Sequence, residues 1–233
     1  MKNRLLTVAM AALCAVGMIS CGNPAEPEEF VLSKENVDDY IVSMASYEGL
    51  TSSAVKESVT DSDVETYADY YYASLAKEVE GMTDEKGEPI PMTDEAIEML
   101  GSKAYKNVTE FMVFVRNTVI DYYEYSYESD IVQDVISQVA AASEFKDIPA
   151  GLLAKERDFI SEQFTEIAKN YNLEVRDYLV YCGTSEEELS LEYAKQELVF
   201  YKIAKDRNID DTDKDAMDSE VFKYLLSVTN VTE

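Results

Sequence analysis

The hydrophobic positions of the chain recur mainly every three or four residues, which is the spacing of the buried face of an α-helix. The longest such pattern runs from Phe111 to about Phe145, or roughly 54 Å of helix at 1.5 Å per residue. With 8 Gly and 5 Pro, the chain has few residues that interrupt helices. The pattern therefore predicts a mainly α fold, in which short connections make neighbouring helices antiparallel.

Polar capping residues divide this pattern into separate helices. Thr60, Thr93 and Asn107 each precede an apolar run and have an acidic residue within the first turn, and Pro149 stands at a favourable first helical position. Further helices are expected around residues 177–179, after a capping box at residues 184–187, and after Thr212. The expected helix ends lie near Glu80, Gly101, Phe145, Gly183 and Arg207.

Two short segments near the beginning of the chain have the composition of strands instead. Tyr40–Met44 and Thr51–Val59 flank a turn signal at Ser46–Leu50, which includes Gly49. We therefore expect a small extended segment before the helices begin.

The first residues have the pattern of an export signal. Lys2 and Arg4 precede an uncharged run from Leu5 to Ile19, which is too short to span a membrane, and the run ends at Met18-Ile19-Ser20-Cys21. This ending resembles a bacterial lipobox, so residues 1–20 are predicted to be a lipoprotein signal peptide, Cys21 the lipid anchor and residues 21–39 a tether. The alternatives are an ordinary signal peptide or an N-terminal anchor. The expected location is the extracytoplasmic face of the cell membrane.

The composition excludes several classes of function. With 47 acidic and 20 basic residues, the net charge of −27 disfavours nucleic acid as a partner. The absence of His excludes imidazole-dependent nucleophiles and His-ligated zinc, and no Walker-type motif indicates an ATP site. Cys182 is interpreted as a small packing residue near a helix end. We expect no cofactor and no catalytic residue.

The acidic run at residues 210–215 invites a calcium interpretation. An EF-hand loop starting at Asp211 requires Gly and Glu at the positions where the chain has Ala216 and Phe222. The sequence therefore predicts no metal site in this run.

Several short motifs, taken in order along the chain, resemble the trigger factor family. Ile148–Glu156, Asp177–Leu179, Gly183–Leu189 and Ala194–Val199 resemble its C-terminal domain. Upstream pieces at residues 46–50, 59–64, 91–95 and 106–111 look like the family's connections around its FKBP-type isomerase domain. After the helix that is predicted to end near Glu80, only the loop of residues 81–91 is available for that domain, far below the roughly 50 residues of a small domain. The isomerase domain is thus expected to be missing.

The resemblance implies a trigger factor C-terminal, SurA-like peptide-binding body with a long arm helix. It divides the chain after the tether into residues 40–92, a remnant of the N-terminal region with a linker helix, and residues 93–233, a helical chaperone domain. The implied function is an ATP-independent holdase for unfolded or newly secreted polypeptides, with no ribosome as partner. The alternatives are a peptidyl-prolyl isomerase, as the family label implies, and a dedicated protein-interaction lipoprotein.

Aromatic residues are the candidates for polypeptide contact, because 17 Tyr, 8 Phe and 9 Met suit varied apolar partners. Four Tyr within six positions, 122–127, extend most of the way around a helix, so some of them are expected to be exposed. Most other aromatic residues in helical stripes are expected to be core. The candidate peptide-binding residues are Phe111, Phe114, Tyr122, Tyr123, Tyr125, Tyr127, Phe164 and Tyr171.

Overall fold

The computed structural model describes residues 30–232, so the predicted signal peptide, Cys21 and residues 21–29 of the predicted tether lie outside the described residues. The fold is mainly helical, as predicted. The helices are α1 (Asp61–Ala76), α2 (Asp94–Met99), α3 (Val108–Ala142), α4 (Ala150–Asn170), α5 (Val175–Cys182), α6 (Glu186–Arg207) and α7 (Lys214–Val228). The strands are β1 (Ile41–Ser43), β2 (Thr51–Ser52), β3 (Glu144–Phe145) and β4 (Asn230–Val231). Among residues 30–232, no helix has both the length and the hydropathy needed to cross a bilayer.

The described chain forms two compact units. The first unit contains residues 30–54 and 128–232, and the second unit contains residues 55–127. These boundaries follow packing, whereas the division of the chain at residues 92/93 follows the family resemblance and stays a prediction.

The first unit is built around the packing of α4 against α6. One core cluster joins α4 and α6 to α7 and to the C-terminal part of α3, with Leu152, Leu198, Val135 and Leu225 fully buried. A second cluster lies farther along α4, where Ile160 and other side chains of α4 pack against α5 and the start of α6. Each cluster is lined by residues at helical spacing, as the apolar pattern predicts.

The segment before β1 is also part of the first unit. Leu32 and Val37 lie in two single 3₁₀ turns and are buried in the main core cluster. Phe30 approaches α4 so closely that a Cβ added at Gly151 would lie 2.7 Å from its Cβ. The packed body therefore includes residues 30–39, which the sequence analysis assigned to the tether.

The short strands pair with distant segments rather than with each other. β1 is antiparallel to β3, and β2 is parallel to β4. The predicted strand at Thr51–Val59 is wrong beyond Ser52, because β4 offers only two residues for pairing. Gly49 forms the expected turn with φ 71°, a conformation that favours glycine.

The second unit consists of α1, α2 and residues 108–127 of α3. Its core contains Val64, Ile97, Phe111 and Val115 with almost no exposed surface. The segment between α1 and α2 forms the predicted loop, which is closed by an isolated antiparallel bridge between Thr83 and Pro89.

Most helix boundaries agree with the capping signals. Thr60 and Asp63 form a complete capping box, and Gly183 ends α5 in a left-handed conformation with φ 82°. Two predicted caps are shifted by one residue. Ser185 rather than Thr184 accepts the N–H of Glu188, and Asp213 rather than Thr212 caps α7.

Three other helix ends also differ from the prediction. Pro149 is the N-cap of α4 rather than its first helical residue. α1 ends at Ala76, before the predicted Glu80. α3 ends at Ala142, because Glu144 and Phe145 pair with β1.

Candidate functional site

The tyrosine belt comprises Tyr122, Tyr123, Tyr125 and Tyr127 of α3. No side chain at residues 120–130 is buried, so about 16 Å of this helix lacks a core residue. Tyr122 is 61% exposed and Tyr125 is also exposed. The prediction that part of this cluster faces solvent is thus confirmed.

The other two members of the tyrosine belt have neighbours in the second unit. Tyr123 packs partly against its core, and burial together with the nearby Asp63 carboxylate raises the pKa of the Tyr123 hydroxyl. Tyr127 is covered on one ring face by Lys56, whose Nζ lies 5.7 Å from the ring centroid. Lys56 also forms an ion pair with Glu124. The belt therefore has an exposed aromatic side and a partly packed side.

Two of the three candidate phenylalanines are core residues, and the third packs partly against a core. Phe111 is fully buried in the second unit and packs against Tyr105, with the ring centroids 5.0 Å apart. Phe164 is buried in the first unit, and Phe114 is half-buried. Phe111 and Phe164 are therefore removed from the candidate contact surface, because buried rings cannot touch a partner without unfolding their units.

A second exposed surface, the aromatic tip, comprises Tyr171, Val180 and Tyr181 in the first unit. Their exposed fractions are 57%, 63% and 74%. Tyr171 follows the C-terminus of α4, and its ring centroid lies 5.3 Å from that of Tyr178 and 6.4 Å from that of Tyr181. Tyr178 is buried, and burial is the main cause that raises the pKa of its hydroxyl to about 12. The aromatic tip thus rests on a packed core cluster.

The third feature is a cavity of about 110 Å³ inside the first unit, which we name the carboxylate pocket. It is formed by α3, α4, α6 and α7. One part of its lining is apolar, namely Val132, Ile136, Phe200 and Phe222. Other lining residues are polar or charged, including Gln133, Glu156, Tyr193, Glu197, Lys214 and Asp218.

Two carboxyl groups of this pocket share a hydrogen bond, Glu156 on α4 and Glu197 on α6. Burial, reinforced by Glu197, raises the pKa of Glu156 to about 8, so this carboxyl is largely protonated at neutral pH. Burial also acts to raise the pKa of Glu197, but the hydrogen bond from Glu156 and the Lys155 ammonium at 2.8 Å outweigh it and lower the pKa. One carboxyl of the pair thus donates the hydrogen bond and the other accepts it.

Three buried side-chain nitrogen or oxygen atoms of the described residues lack a hydrogen-bond partner, and all three belong to lining residues of the carboxylate pocket. They are Gln133 Oε1, the Tyr193 hydroxyl and Asp218 Oδ1. Tyr193 is 3% exposed, and its pKa is raised by burial and by the nearby Glu192 and Glu156. The other oxygen of Asp218 accepts a hydrogen bond from Lys214 Nζ at 2.8 Å. The pocket therefore combines an apolar wall with unused hydrogen-bonding capacity.

The carboxylate pocket was not predicted from the sequence, although the sequence contains one signal for it. Glu156 lies on the buried face of α4, four residues after Leu152 and four residues before Ile160. A carboxylate within such a stripe is unusual enough to mark a buried polar site. The exposure of Val180 and Tyr181 had no comparable signal in the sequence, because α5 is too short to show a clear periodicity of hydrophobic residues. Cys182 is half-buried at the end of α5, as predicted.

Comparison with known protein families gives a match over residues 107–222. This region fits the family model described as "Bacterial trigger factor protein (TF) C-terminus". No curated protein and no solved structure matches the chain. The tyrosine belt, the aromatic tip and the carboxylate pocket all lie within the matched residues. Through this region, about half of its length, the chain belongs to a trigger factor C-terminal-like family.

Proposed function

We propose that the protein is a lipid-anchored, extracytoplasmic holdase, which binds unfolded or newly secreted polypeptides without ATP. The trigger factor C-terminal family indicates a chaperone-like role in peptide binding. The holdase activity, the anchoring and the secreted clients go beyond that family assignment and are the proposal itself.

The observation that carries the proposal is the aromatic tip. Tyr171, Val180 and Tyr181 are large side chains, each more than half exposed, and the ring of Tyr171 packs against that of the buried Tyr178. Exposed apolar clusters on a folded scaffold favour contact with apolar segments of a partner, since that contact removes their surface from water. Tyrosine suits varied partners, because its ring packs and its hydroxyl keeps a hydrogen bond.

The charge of the chain supports the same role. A net charge of −27 keeps a protein with exposed aromatic surfaces soluble, and it disfavours acidic clients. Clients that are neutral or basic and locally unfolded are therefore the expected partners.

The anchoring part of the proposal rests on the sequence around Cys21, which lies outside the described residues. A lipid at Cys21 would keep the holdase at the surface where exported chains emerge.

The test measures suppression of aggregation for several unrelated unfolded clients. We expect Tyr171→Ser with Tyr181→Ser, and separately Tyr122→Ser with Tyr125→Ser, to weaken suppression about threefold or more. Tyr70→Ser is the matched control, because Tyr70 is 73% exposed but belongs to neither surface. In cells, Cys21→Ser is expected to release the protein from the membrane fraction.

Two results would contradict the proposal. If both double variants suppress aggregation as well as the wild type does, neither the aromatic tip nor the tyrosine belt is part of the binding site. A single tight partner together with no effect on unrelated clients would indicate the dedicated interaction protein instead, and acceleration of proline isomerisation would indicate the isomerase.

A further inference from the structure

We infer that the carboxylate pocket accommodates a lysine side chain of a bound polypeptide. This inference rests on the proposed function, since it assumes a polypeptide partner, and it adds a specificity site that the exposed aromatic surfaces do not provide.

The apolar wall fits the aliphatic part of lysine. Val132 and Ile136 line the pocket from α3, Phe200 from α6 and Phe222 from α7. A single water needs only about 10–15 Å³ of such volume, so a cavity of about 110 Å³ has room for a larger group. Lysine side chains commonly place their methylene stem on apolar surface while the ammonium reaches a polar end.

The unpartnered atoms of the pocket fit the ammonium. Gln133 Oε1 and Asp218 Oδ1 are acceptors, and the Tyr193 hydroxyl can also accept. Leaving such buried atoms without a partner costs about 1–3 kcal/mol each. A lysine ammonium brings three donors and no acceptor, so it satisfies acceptors without adding a new unpaired lone pair.

The charges around the pocket point to the same guest. Its carboxyl groups are Glu156, Glu197 and Asp218, while Lys155 and Lys214 supply the two nearby ammonium groups. Because Glu156 is largely protonated at neutral pH, Glu197 and Asp218 already balance Lys155 and Lys214, and Glu156 can balance a third ammonium by releasing its proton. An acidic guest would add a fourth carboxylate to a largely buried site, which is strongly unfavourable.

The test compares two labelled peptides that are identical except for one position, which is either lysine or norleucine, in an otherwise apolar sequence. Norleucine keeps the aliphatic stem and lacks the ammonium. With the full mature protein, we expect the lysine peptide to bind about tenfold more tightly, the scale of one or two charge-assisted hydrogen bonds. Fluorescence anisotropy gives the two dissociation constants.

Variants then assign the preference to the pocket. Asp218→Asn is expected to abolish most of the preference for lysine, and Tyr193→Phe to reduce it about threefold. Asp215→Asn is the matched control, because it makes the same charge change at an exposed position of α7 and should retain the preference. Thermal unfolding checks that each variant is folded, and Tyr193→Phe keeps the test valid if Asp218→Asn is unstable.

The outcomes separate this inference from the proposed function. Equal affinity for the two peptides overturns the inference while leaving the holdase in place. An equal loss of preference in Asp215→Asn and Asp218→Asn also overturns it, since the effect is then general electrostatic attraction. If lysine peptides bind through Asp218 but unfolded clients still aggregate, the inference holds and the holdase proposal fails. If neither peptide binds, both this inference and the proposed function fail.

Discussion

The cores of the two units are built from similar amphipathic helices, yet they differ in whether their buried polar side chains are hydrogen-bonded. In the second unit, Tyr72 is buried and its hydroxyl donates a hydrogen bond to the carbonyl oxygen of Ile90 at 3.0 Å. In the first unit, the buried Tyr193 hydroxyl has no partner, and the neighbouring Glu156 carboxyl is held in its protonated form. Within residues 30–232, all of the unpartnered buried side-chain atoms belong to the first unit.

This difference separates a core whose buried side-chain polar groups are paired from one that contains unpaired polar groups. A sealed aromatic core such as that of Phe111 gains free energy from every contact it makes. Buried acids and unpartnered oxygens lower stability, so their presence is expected where binding requires them. The contrast between the two cores supports the recognition role that we propose for the carboxylate pocket, whereas the core of the second unit shows only structural packing.

The largest expected effect is on the sealed core. Phe111→Ala should lower the free energy of unfolding of the second unit by about 3–5 kcal/mol, because it removes a fully buried ring from a close-packed cluster. Val113→Ala, at an exposed position on the same helix, should change it by less than about 0.5 kcal/mol. Urea unfolding followed by circular dichroism measures both. Similar values for the two variants would mean that this core is not sealed.

The second prediction concerns pH and the carboxylate pocket. The Glu156 pKa is about 8 in the folded protein, against an ordinary value of 4.5. As pH rises from about 4.5 to about 8, the unfolded chain releases this proton while the folded chain keeps it, so stability falls through that window. The lowered pKa of Glu197 acts in a different window, because its contribution is lost as pH falls below about 4.5.

In the variant Glu156→Gln this side chain cannot titrate, so the fall in stability that Glu156 causes as pH rises should disappear. We expect the variant to gain at least about 1 kcal/mol relative to wild type between about pH 5 and about pH 8. Melting temperatures at the two pH values measure the change, and Glu220→Gln at an exposed position of α7 is the control. A variant whose pH profile parallels that of the wild type would show that Glu156 titrates normally.

The smallest expected effect uses one chemical change in both units. Tyr72→Phe removes a satisfied hydroxyl and leaves the Ile90 carbonyl without its donor, so it should cost about 1 kcal/mol. Tyr193→Phe removes a hydroxyl without a partner and should leave stability unchanged or raise it by up to about 1 kcal/mol. Chemical unfolding of the two variants in parallel gives the sign. If the two variants lose the same free energy of unfolding, the proposed difference between the two cores in hydrogen bonding is wrong.

The helices were predictable because their signals are local. The capping box of Thr60 and Asp63 and the left-handed stop at Gly183 each involve residues within one turn of one another. The caps at Ser185 and Asp213 were missed by one residue, since adjacent Thr–Ser and Thr–Asp pairs offer two equally good candidates. β2 was overestimated, because the length of a strand depends on its partner β4, far away in sequence.

The candidate site was predictable only in part. The exposure of Tyr122 follows from the crowding of tyrosines around one helix, which no single core can cover. The burial of Phe111 and Phe164 did not follow, because a helical stripe shows which face is apolar but not whether another element covers it.

By itself, the sequence determined the helical class, most of the helix boundaries and the resemblance to the trigger factor C-terminal family, because all of these depend on local spacing and motif order. Tertiary structure alone decided which aromatic rings remain exposed and that Glu156, Glu197, Tyr193 and Asp218 line one cavity. These residues come from three helices, and their burial, their pKa values and their missing partners arise only when the helices pack.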